Sequence, residues 1–253
     1  MEKDDAKLIA PVDLPAALGL LTRLPVRVDT DAAVARGAAS AWAYPLVGAM
    51  LGTGAAVLAT LGGAIGLPAQ LTAGLLLAYS IILTGAMHED GLADSADGLW
   101  GGWDKARRLE IMKDSHIGVY GVCAIALSLI LRWAALVEIV QMGAYWAVLI
   151  AVSALSRVGM VLLMAQMPNA RGGGLSQSVG RPSVQTMWVA VGVAAILAVV
   201  CGLPIAILTA SAATLACGLI ARTKIGGQTG DILGATQQMN EIALLATAVV
   251  LIT

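Results

Sequence analysis

Residues 69–98 read AQLTAGLLLAYSIILTGAMHEDGLADSADG, in which an uncharged apolar run passes directly into an acidic one. The apolar part, residues 69–87, has the length of a membrane-crossing helix, because about 20 helical residues cross roughly 30 Å of hydrocarbon. The acidic part, residues 88–98, places four carboxylates within nine residues, although only 12% of the chain is charged. Together the two parts predict a membrane helix that ends at an acidic cluster.

The composition extends this interpretation to the whole chain. Of the 253 residues 58% are hydrophobic, and the mean hydropathy is +0.85, whereas soluble domains are about 45–50% apolar. We therefore predict an all-α fold, a polytopic integral membrane helical bundle with about seven transmembrane helices. The predicted spans lie near 39–63, 69–87, 117–137, 143–167, 185–202, 204–221 and 240–253. The turn at 201–204 fits either a tight helical hairpin or one broken element.

Basic side chains are concentrated in four segments that alternate with nearly uncharged loops. They are Lys3, Lys7, Arg23, Arg27 and Arg36 before the first span, Lys105, Arg107, Arg108 and Lys113 after the second, Arg171 and Arg181 after the fourth, and Arg222 and Lys224 after the sixth. If the spans alternate in direction, all four segments lie on one side, which the positive-inside rule makes cytoplasmic. We therefore expect a cytoplasmic N-terminal segment, 1–36, with a short interfacial helix near 11–28, and a single membrane-embedded domain over 1–253.

The acidic run has the spacing of a metal site. On a helix Asp90, Asp94 and Asp97 lie at i, i+4 and i+7, so their side chains project from one face. Carboxylate oxygens are the ligands that Mg²⁺ and Mn²⁺ prefer, and magnesium commonly shares its remaining positions with water and substrate phosphates. We predict a magnesium site at these three residues, with Glu89 as a further ligand. The alternative is a solvated helix end.

The segment after the acidic run carries candidate phosphate ligands. Arg107 and Lys113 are candidates to hold phosphate oxygens, because a guanidinium fork suits bidentate phosphate recognition. Asp114 and Ser115 follow with further polar groups at the mouth of the next span. Ordinary positive-inside flanking is the alternative explanation of these basic residues.

Two arginines lie inside predicted spans. Arg157 is deep in its span, where an ionisable residue normally faces the bundle interior or a polar cavity, so we expect a functional role or pairing with an intramembrane acid. Arg132 is nearer a span end and is expected to snorkel or to pair with Glu138. Gly48 and Gly52 form a small-xxx-small pattern that predicts close helix packing.

Two glycine-containing segments on the predicted cytoplasmic side are candidate ligand contacts. The loop 168–182 places Arg171 before three glycines, and it fits either a flexible connector or a cover over an anionic ligand. The segment 224–235 combines three glycines with polar side chains at a membrane boundary, which favours substrate contact. Its candidate substrate-binding residues are Lys224, Gln228, Thr229 and Asp231.

Glycines and histidines also border the acidic run. Gly91 and Gly98 lack side chains beside the carboxylates, and we expect them to let a bulky ligand approach. His88 and His116 fit either a role in proton transfer or an interfacial hydrogen bond.

Four motifs resemble a known family. They are LTRLPV at 21–26, HEDGLADSADG at 88–98, the run 107–118 that contains EIMKDS, and the run 226–235. In order and spacing they are similar to the cobalamin synthase family, the adenosylcobinamide-GDP ribazoletransferases. The resemblance implies a Mg²⁺-dependent integral-membrane transferase of the prokaryotic inner membrane, with its active face in the cytoplasm. It joins adenosylcobinamide-GDP to α-ribazole or α-ribazole 5′-phosphate and releases GMP, in the last steps of cobalamin nucleotide-loop assembly.

The resemblance also implies roles for the candidate residues. Asp90, Asp94 and Asp97 would hold the metal, and Asp97 would also accept the proton of the attacking hydroxyl. The phosphate oxygens would be held by Arg107, which would thereby take part in catalysis, and by Lys113, Lys224 and Arg157. Asp231 would ligate metal or bind a nucleoside hydroxyl. The resemblance implies that the partners are these small molecules and membrane lipid, and that no nucleic acid is bound. It also allows the protein to form an oligomer.

Two rival interpretations remain open at this point. Another membrane diphosphate enzyme, such as a CDP-alcohol phosphotransferase or a prenyltransferase, would also use helix-spaced aspartates with magnesium, although Asp94 stands where the first group has Arg. A cation or metabolite transporter would use the carboxylates as a binding site near the bilayer midplane. The position of these acids at a helix end favours an enzyme.

Overall fold

The computed structural model describes residues 7–252, so that 1–6, with Lys3, and Thr253 lie outside the described part. Within it the chain is helical, and the only β-type pairing is an isolated bridge between Asn169 and Gln228. The helices are α1 (Asp13–Leu21), α2 (Thr30–Arg36), a 3-10 segment (Gly37–Ala43), α3 (Tyr44–Ala64), α4 (Ala69–Thr84), α5 (Met87–Gly101), α6 (Lys105–Ile111), α7 (Val119–Gln141), α8 (Tyr145–Gln166), α9 (Leu175–Val179), α10 (Val184–Val200), α11 (Ala206–Ile225) and α12 (Gly230–Ile252).

The prediction of a polytopic helical membrane protein is confirmed, but with five or six candidate spans instead of seven. Five helical stretches within 7–252 are long and apolar enough to cross a membrane: Thr30–Ala64, α7, α8, α11 and α12. A sixth is obtained if α4 and α5 are counted together. The predicted span near 185–202 corresponds to α10, whose 17 residues extend about 26 Å at about 1.5 Å per residue, short of the hydrocarbon thickness.

The last span was placed wrongly by hydropathy. It was predicted at 240–253, whereas α12 begins ten residues earlier, at Gly230. The reason is that Gln237, Gln238 and Asn240 are buried against other helices, where polar side chains find partners. The turn at 201–204 separates two helices, α10 and α11, and does not interrupt a single one.

The predicted span near 69–87 ends early, at a sharp break. Gly85 and Ala86 both adopt left-handed backbone conformations, with φ of 63° and 57°. Glycine adopts this conformation readily, whereas a left-handed alanine is uncommon. The axis of α5 is consequently turned by 88° from that of α4. The acidic residues therefore lie on a separate helix that crosses the end of α4.

The centre of the bundle is α8, which packs against α3, α10, α11 and α12. Gly48 and Gly52 of α3 face the backbone of α8 at Ser153 and Leu149, so closely that a Cβ atom on either glycine would overlap the carbonyl oxygen. The predicted small-xxx-small packing is confirmed at this contact.

The N-terminal region is held by one buried carboxylate. Asp13, which is fully buried, accepts hydrogen bonds from Arg36 (2.7 and 2.8 Å), Trp42 (2.8 Å) and the backbone of Ala10 (2.8 Å). Burial acts to raise the pKa of Asp13, but these hydrogen bonds outweigh it and bring the pKa below its usual value. The helix predicted near 11–28 is shorter, because α1 ends at Leu21.

Replacing Asp13 with Asn is expected to destabilise the protein by about 3–5 kcal/mol, because the Arg36 guanidinium loses its counter-charge. A lowered folded pKa contributes stability above the unfolded value of about 4, and this contribution is lost as pH falls through the folded pKa. The thermal unfolding curves of wild type and variant should therefore converge in acid. The exposed Asp31→Asn variant is the control, and equal melting of wild type and Asp13→Asn at neutral pH would refute the role.

Candidate active site

Two basic segments contact each other at one end of the bundle, and another contacts the end of α4. The backbone N–H of Arg23 donates to the carbonyl of Leu83 at the end of α4 (2.6 Å). The guanidinium of Arg108 in α6 donates to the carbonyl of Lys224 at the end of α11 (2.9 Å). These contacts support the prediction that the basic segments share one side.

At this end two glycines bring α5 against α12. A Cβ atom on Gly91 would lie 2.8 Å from the carbonyl oxygen of Asp231, and one on Gly234 would lie 3.3 Å from the Cα of Gly91. Gly98 likewise packs on α6, where a Cβ atom would lie 2.8 Å from the carbonyl of Arg108. The expectation that Gly91 and Gly98 leave room for a ligand is wrong, because neighbouring helices fill that space.

The close contact of α5 and α12 brings three aspartates together. The carboxylate of Asp94 is repelled by those of Asp231 and Asp90 and is attracted by the guanidinium of Arg171. Nη2 of Arg171 lies 2.7 Å from Oδ2 of Asp231. Nη2 is thus engaged by Asp231, whereas Nε of Arg171 has no hydrogen-bond acceptor. The guanidinium therefore retains its Nε–H for an anionic ligand.

Asp90, Asp231 and Arg171 line a cavity of about 240 Å³. Ser176 of α9 also lines this cavity and is buried. No motif in the sequence marks this serine. The remaining walls are mainly apolar and include Leu20, Leu21, Tyr44, Met160, Met164 and Val179. A ligand in this cavity would contact both charged groups and apolar side chains.

The protein side chains do not by themselves enclose a metal ion. Across residues 7–252 no three His, Cys, Asp or Glu side chains are close enough to one another to form such a site. Asp90 and Asp94 nevertheless offer carboxylate oxygens, which are the donors that Mg²⁺ prefers. Magnesium is usually bound by one or two carboxylates, with the other positions filled by water and substrate phosphate.

Asp97 has a different role from the predicted metal ligand and proton acceptor. One carboxylate oxygen accepts a hydrogen bond from the backbone N–H of Gly118 (2.7 Å), and the other accepts one from the backbone N–H of Gly121 (2.9 Å). Asp97 thus caps the first turn of α7, whose own N-cap residue is a glycine without a side chain. Because both oxygens are already occupied and the residue is buried, we assign Asp97 to holding α7 against α5.

Glu89 is also separated from the other acids. It points away from them and accepts hydrogen bonds from Arg132 (3.1 Å) and Gln238 (3.2 Å) inside the bundle. Arg132 bonds Glu241 of α12 as well (3.2 Å). The predicted pairing of Arg132 with Glu138 is therefore wrong, and Glu89 belongs to a buried ion triad that joins α5, α7 and α12.

Arg157 faces the bundle interior, as expected for an ionisable residue within a span. It is 3% exposed and donates to the backbone carbonyl of Ser153 (2.8 Å). Its predicted contact with substrate phosphate has no support in the geometry, because Arg157 does not line the cavity.

The chain is similar over most of its length to a family of known proteins. The model of the family described as cobalamin-5-phosphate synthase matches residues 13–249. The chain belongs to this family. It is 41% identical to a protein of Bradyrhizobium diazoefficiens over 93% of the chain and 92% of that protein, and 45% identical to one of Xanthobacter autotrophicus over 92% and 94%. Both relatives are named adenosylcobinamide-GDP ribazoletransferase. No solved structure matches the chain.

The remaining basic candidates of this cobalamin-5-phosphate synthase family member lie outside the cavity. Arg107 is exposed on α6 and forms an ion pair with Glu110 (2.8 Å). Lys224 donates to the carbonyl of Leu99 (2.9 Å) and lies 4.7 Å from the ring centre of Trp100. The catalytic role predicted for Arg107 and the phosphate contact predicted for Lys224 are therefore not supported.

The loop between α6 and α7 is exposed as well. Lys113, Asp114 and Ser115 all have exposed side chains. The side chain and backbone of His116 donate hydrogen bonds to Asp114 and lower the pKa of its carboxyl. The predicted substrate contacts of these three residues are not made at the cavity described here.

Gln228 and Thr229 form hydrogen bonds that hold neighbouring residues of the site in place. Oε1 of Gln228 accepts a hydrogen bond from the hydroxyl of Ser176 (2.7 Å). This hydrogen bond holds α9 beside the cavity. The hydroxyl of Thr229 accepts the N–H of Ile232 in the first turn of α12 (3.3 Å) and donates to Asp231 (3.4 Å). Both residues are buried, so they position ligand-facing groups instead of contacting substrate directly.

Proposed function

We propose that this chain is an adenosylcobinamide-GDP ribazoletransferase, which joins adenosylcobinamide-GDP to α-ribazole or α-ribazole 5′-phosphate and releases GMP. The family match covers residues 13–249, and relatives that cover more than nine-tenths of the chain carry this activity in their names. The observation that carries the site assignment is the meeting of Asp90, Asp94 and Asp231 with Arg171 beside a cavity. Such a group suits a charged diphosphate next to an uncharged nucleoside.

In this reaction a ribose hydroxyl attacks the phosphorus atom that carries the cobinamide. The new P–O bond forms as the P–O bond to GMP breaks, and the hydroxyl proton passes to a base. Phosphoryl transfer of this kind depends mainly on positioning and on stabilising charge. Arg171, whose Nε–H has no acceptor, is placed to hold a phosphate oxygen.

We assign the proton acceptor to Asp231, in place of Asp97. Asp231 lines the cavity, and its carboxylate is oriented by the hydroxyl of Thr229 and by Arg171. A base must come within hydrogen-bond reach of the proton that it removes. A ribose bound beside Asp231 in the cavity would meet this condition.

Asp90 and Asp94 are the residues that would hold a magnesium ion. They lie four positions apart on α5, so both carboxylates project from one face of the helix. A bound magnesium would offset the negative charge of the diphosphate and of the departing GMP. In its absence the clustered carboxylates would repel an anionic substrate, which is why a cation is required in this proposal.

The active face would lie in the cytoplasm. Arg108 of the second basic segment contacts Lys224 of the fourth, and Arg171 of the third contacts Asp231 in the site. By the positive-inside rule this end of the bundle would be the cytoplasmic one. Water-soluble substrates and GMP would then be exchanged with the cytoplasm.

The test is incubation of the purified protein with adenosylcobinamide-GDP, α-ribazole and Mg²⁺. We expect GMP and the joined corrinoid product in equal amounts, and no product after chelation of the metal. Release of CMP or inorganic diphosphate from the corresponding substrates would favour another diphosphate enzyme, and substrate flux into vesicles without conversion would favour a transporter. Folded protein that releases no GMP would refute the assignment.

A further inference from the structure

The cavity beside the carboxylates is too small for either substrate as a whole. Its volume is about 240 Å³, whereas pockets for drug-sized ligands are about 300–1,000 Å³. A corrinoid ring system cannot enter such a space, but a single flat heterocycle can. On the proposed function, two parts of the substrates meet this condition, the azole base of the ribazole and the guanine of the GDP group.

The walls of the cavity distinguish between these two bases. Apart from the charged residues, they are formed mainly by aliphatic side chains, three methionines and one tyrosine, with His88 as a further polar residue. Guanine carries several hydrogen-bond donors and acceptors on its edges, and polar groups buried without partners are strongly unfavourable. A benzo-fused azole is apolar over most of its surface, and methionine sulfur makes favourable contacts with aromatic rings.

The position of the cavity agrees with this distinction. Its charged lining residues include Arg171 and Asp231, which lie 2.7 Å apart, and Asp90, whereas its apolar lining comes mainly from α1, α3, α8 and α9. In a ribazole the base is bonded directly to the ribose. A base against the apolar side chains therefore leaves the ribose hydroxyls within reach of the charged ones, where the reacting hydroxyl is needed.

We propose that this cavity is the binding site for the azole base of the ribazole substrate, with α1 and α9 closing it. This proposal rests on the proposed function. Leu20 of α1 and Val179 of α9 face the base from the two short helices. The width of the space between these two helices then determines that the site selects an apolar, methylated base.

Narrowing the cavity tests the proposal. Leu20→Trp is expected to raise the KM for α-ribazole at least roughly tenfold while the KM for adenosylcobinamide-GDP stays within about twofold. Val179→Trp should act in the same way from the opposite wall. The control is Ala213→Leu, which fills a second apolar cavity, also of about 240 Å³, between α5, α11 and α12, and which should change neither KM.

A measurement on wild type avoids any folding defect of these variants. The unmodified enzyme should prefer 5,6-dimethylbenzimidazole riboside to unmethylated benzimidazole riboside by roughly tenfold in kcat/KM, because the methyl groups bury additional apolar surface. No preference would overturn the inference. A rise in the KM for adenosylcobinamide-GDP alone would overturn it too, since the cavity would then hold guanine. A wild type that releases no GMP would instead refute the proposed function.

Discussion

Asp94→Asn is expected to reduce transferase activity by roughly 10²–10³-fold without lowering the melting temperature. The activity falls because one of two carboxylates that would hold magnesium is lost, and electrostatic groups at a reacting centre contribute changes of this size. Stability is maintained because Asp94 is repelled by Asp231 and Asp90, and removing a like charge relieves that repulsion. Initial rates at several Mg²⁺ concentrations and thermal unfolding in detergent measure the two effects.

Two other acidic residues serve as controls for Asp94. Glu110→Gln removes an exposed carboxylate on the neighbouring helix α6 and should leave both activity and melting unchanged. Asp97→Asn should lower the melting temperature. In wild type the two carboxylate oxygens accept hydrogen bonds from the N–H groups of Gly118 and Gly121, whereas an asparagine side chain has one oxygen and would direct its NH₂ group at one of these donors. An Asp94→Asn enzyme with near-normal turnover would remove Asp94 from the site.

Arg132→Met is expected to destabilise the protein by about 3–5 kcal/mol, because it leaves two carboxylates without their counter-charge inside the bundle. Arg132 is 1% exposed and contacts Glu89 at 3.1 Å and Glu241 at 3.2 Å. Glu89 directly precedes Asp90 on α5, so the loss should also raise the Mg²⁺ concentration needed for half-maximal activity. Thermal unfolding and a magnesium titration check the two expectations.

Replacing the whole triad separates charge from packing. A variant with Arg132→Met, Glu89→Gln and Glu241→Gln removes all three charges together, and we expect it to regain most of the lost stability, because apolar or neutral groups can replace a buried ion pair with little loss. Arg222→Gln, at an exposed position near the end of α11, is the control for removing an arginine. If the Arg132→Met variant has the same melting temperature as wild type, the triad does not stabilise the fold.

The departures from the sequence-based spans have a common physical cause. Hydropathy counts apolar residues and detects α7, α8 and α11 well, but it excludes polar residues from a span even where other helices bury them. The first half of α12 therefore went undetected, because Gln237, Gln238 and Glu241 bond to one another and to α5, α7 and α8. The break at Gly85–Ala86 was missed because a left-handed alanine has no sequence signature.

The candidate site was predicted in part. Asp90, Asp94, Asp231 and Arg171 were all singled out from the sequence, and the structure brings them together. Spacing along α5 could not separate Asp97 from the other aspartates, because its partners are backbone N–H groups of α7 that lie more than 20 residues away in the chain. Ser176 gave no signal, since a serine in a glycine-rich loop has no distinctive pattern.

By itself the sequence determined that this is a helical membrane protein with an acidic helix and four basic segments, because hydropathy, helical spacing and charge are local properties of the chain. Only the tertiary structure decided which carboxylates face one another and which are held in a cap or an ion triad. Those assignments depend on the 88° turn before α5 and on the glycine contact between α5 and α12. Contacts between segments more than a hundred residues apart are set by packing, which no local pattern records.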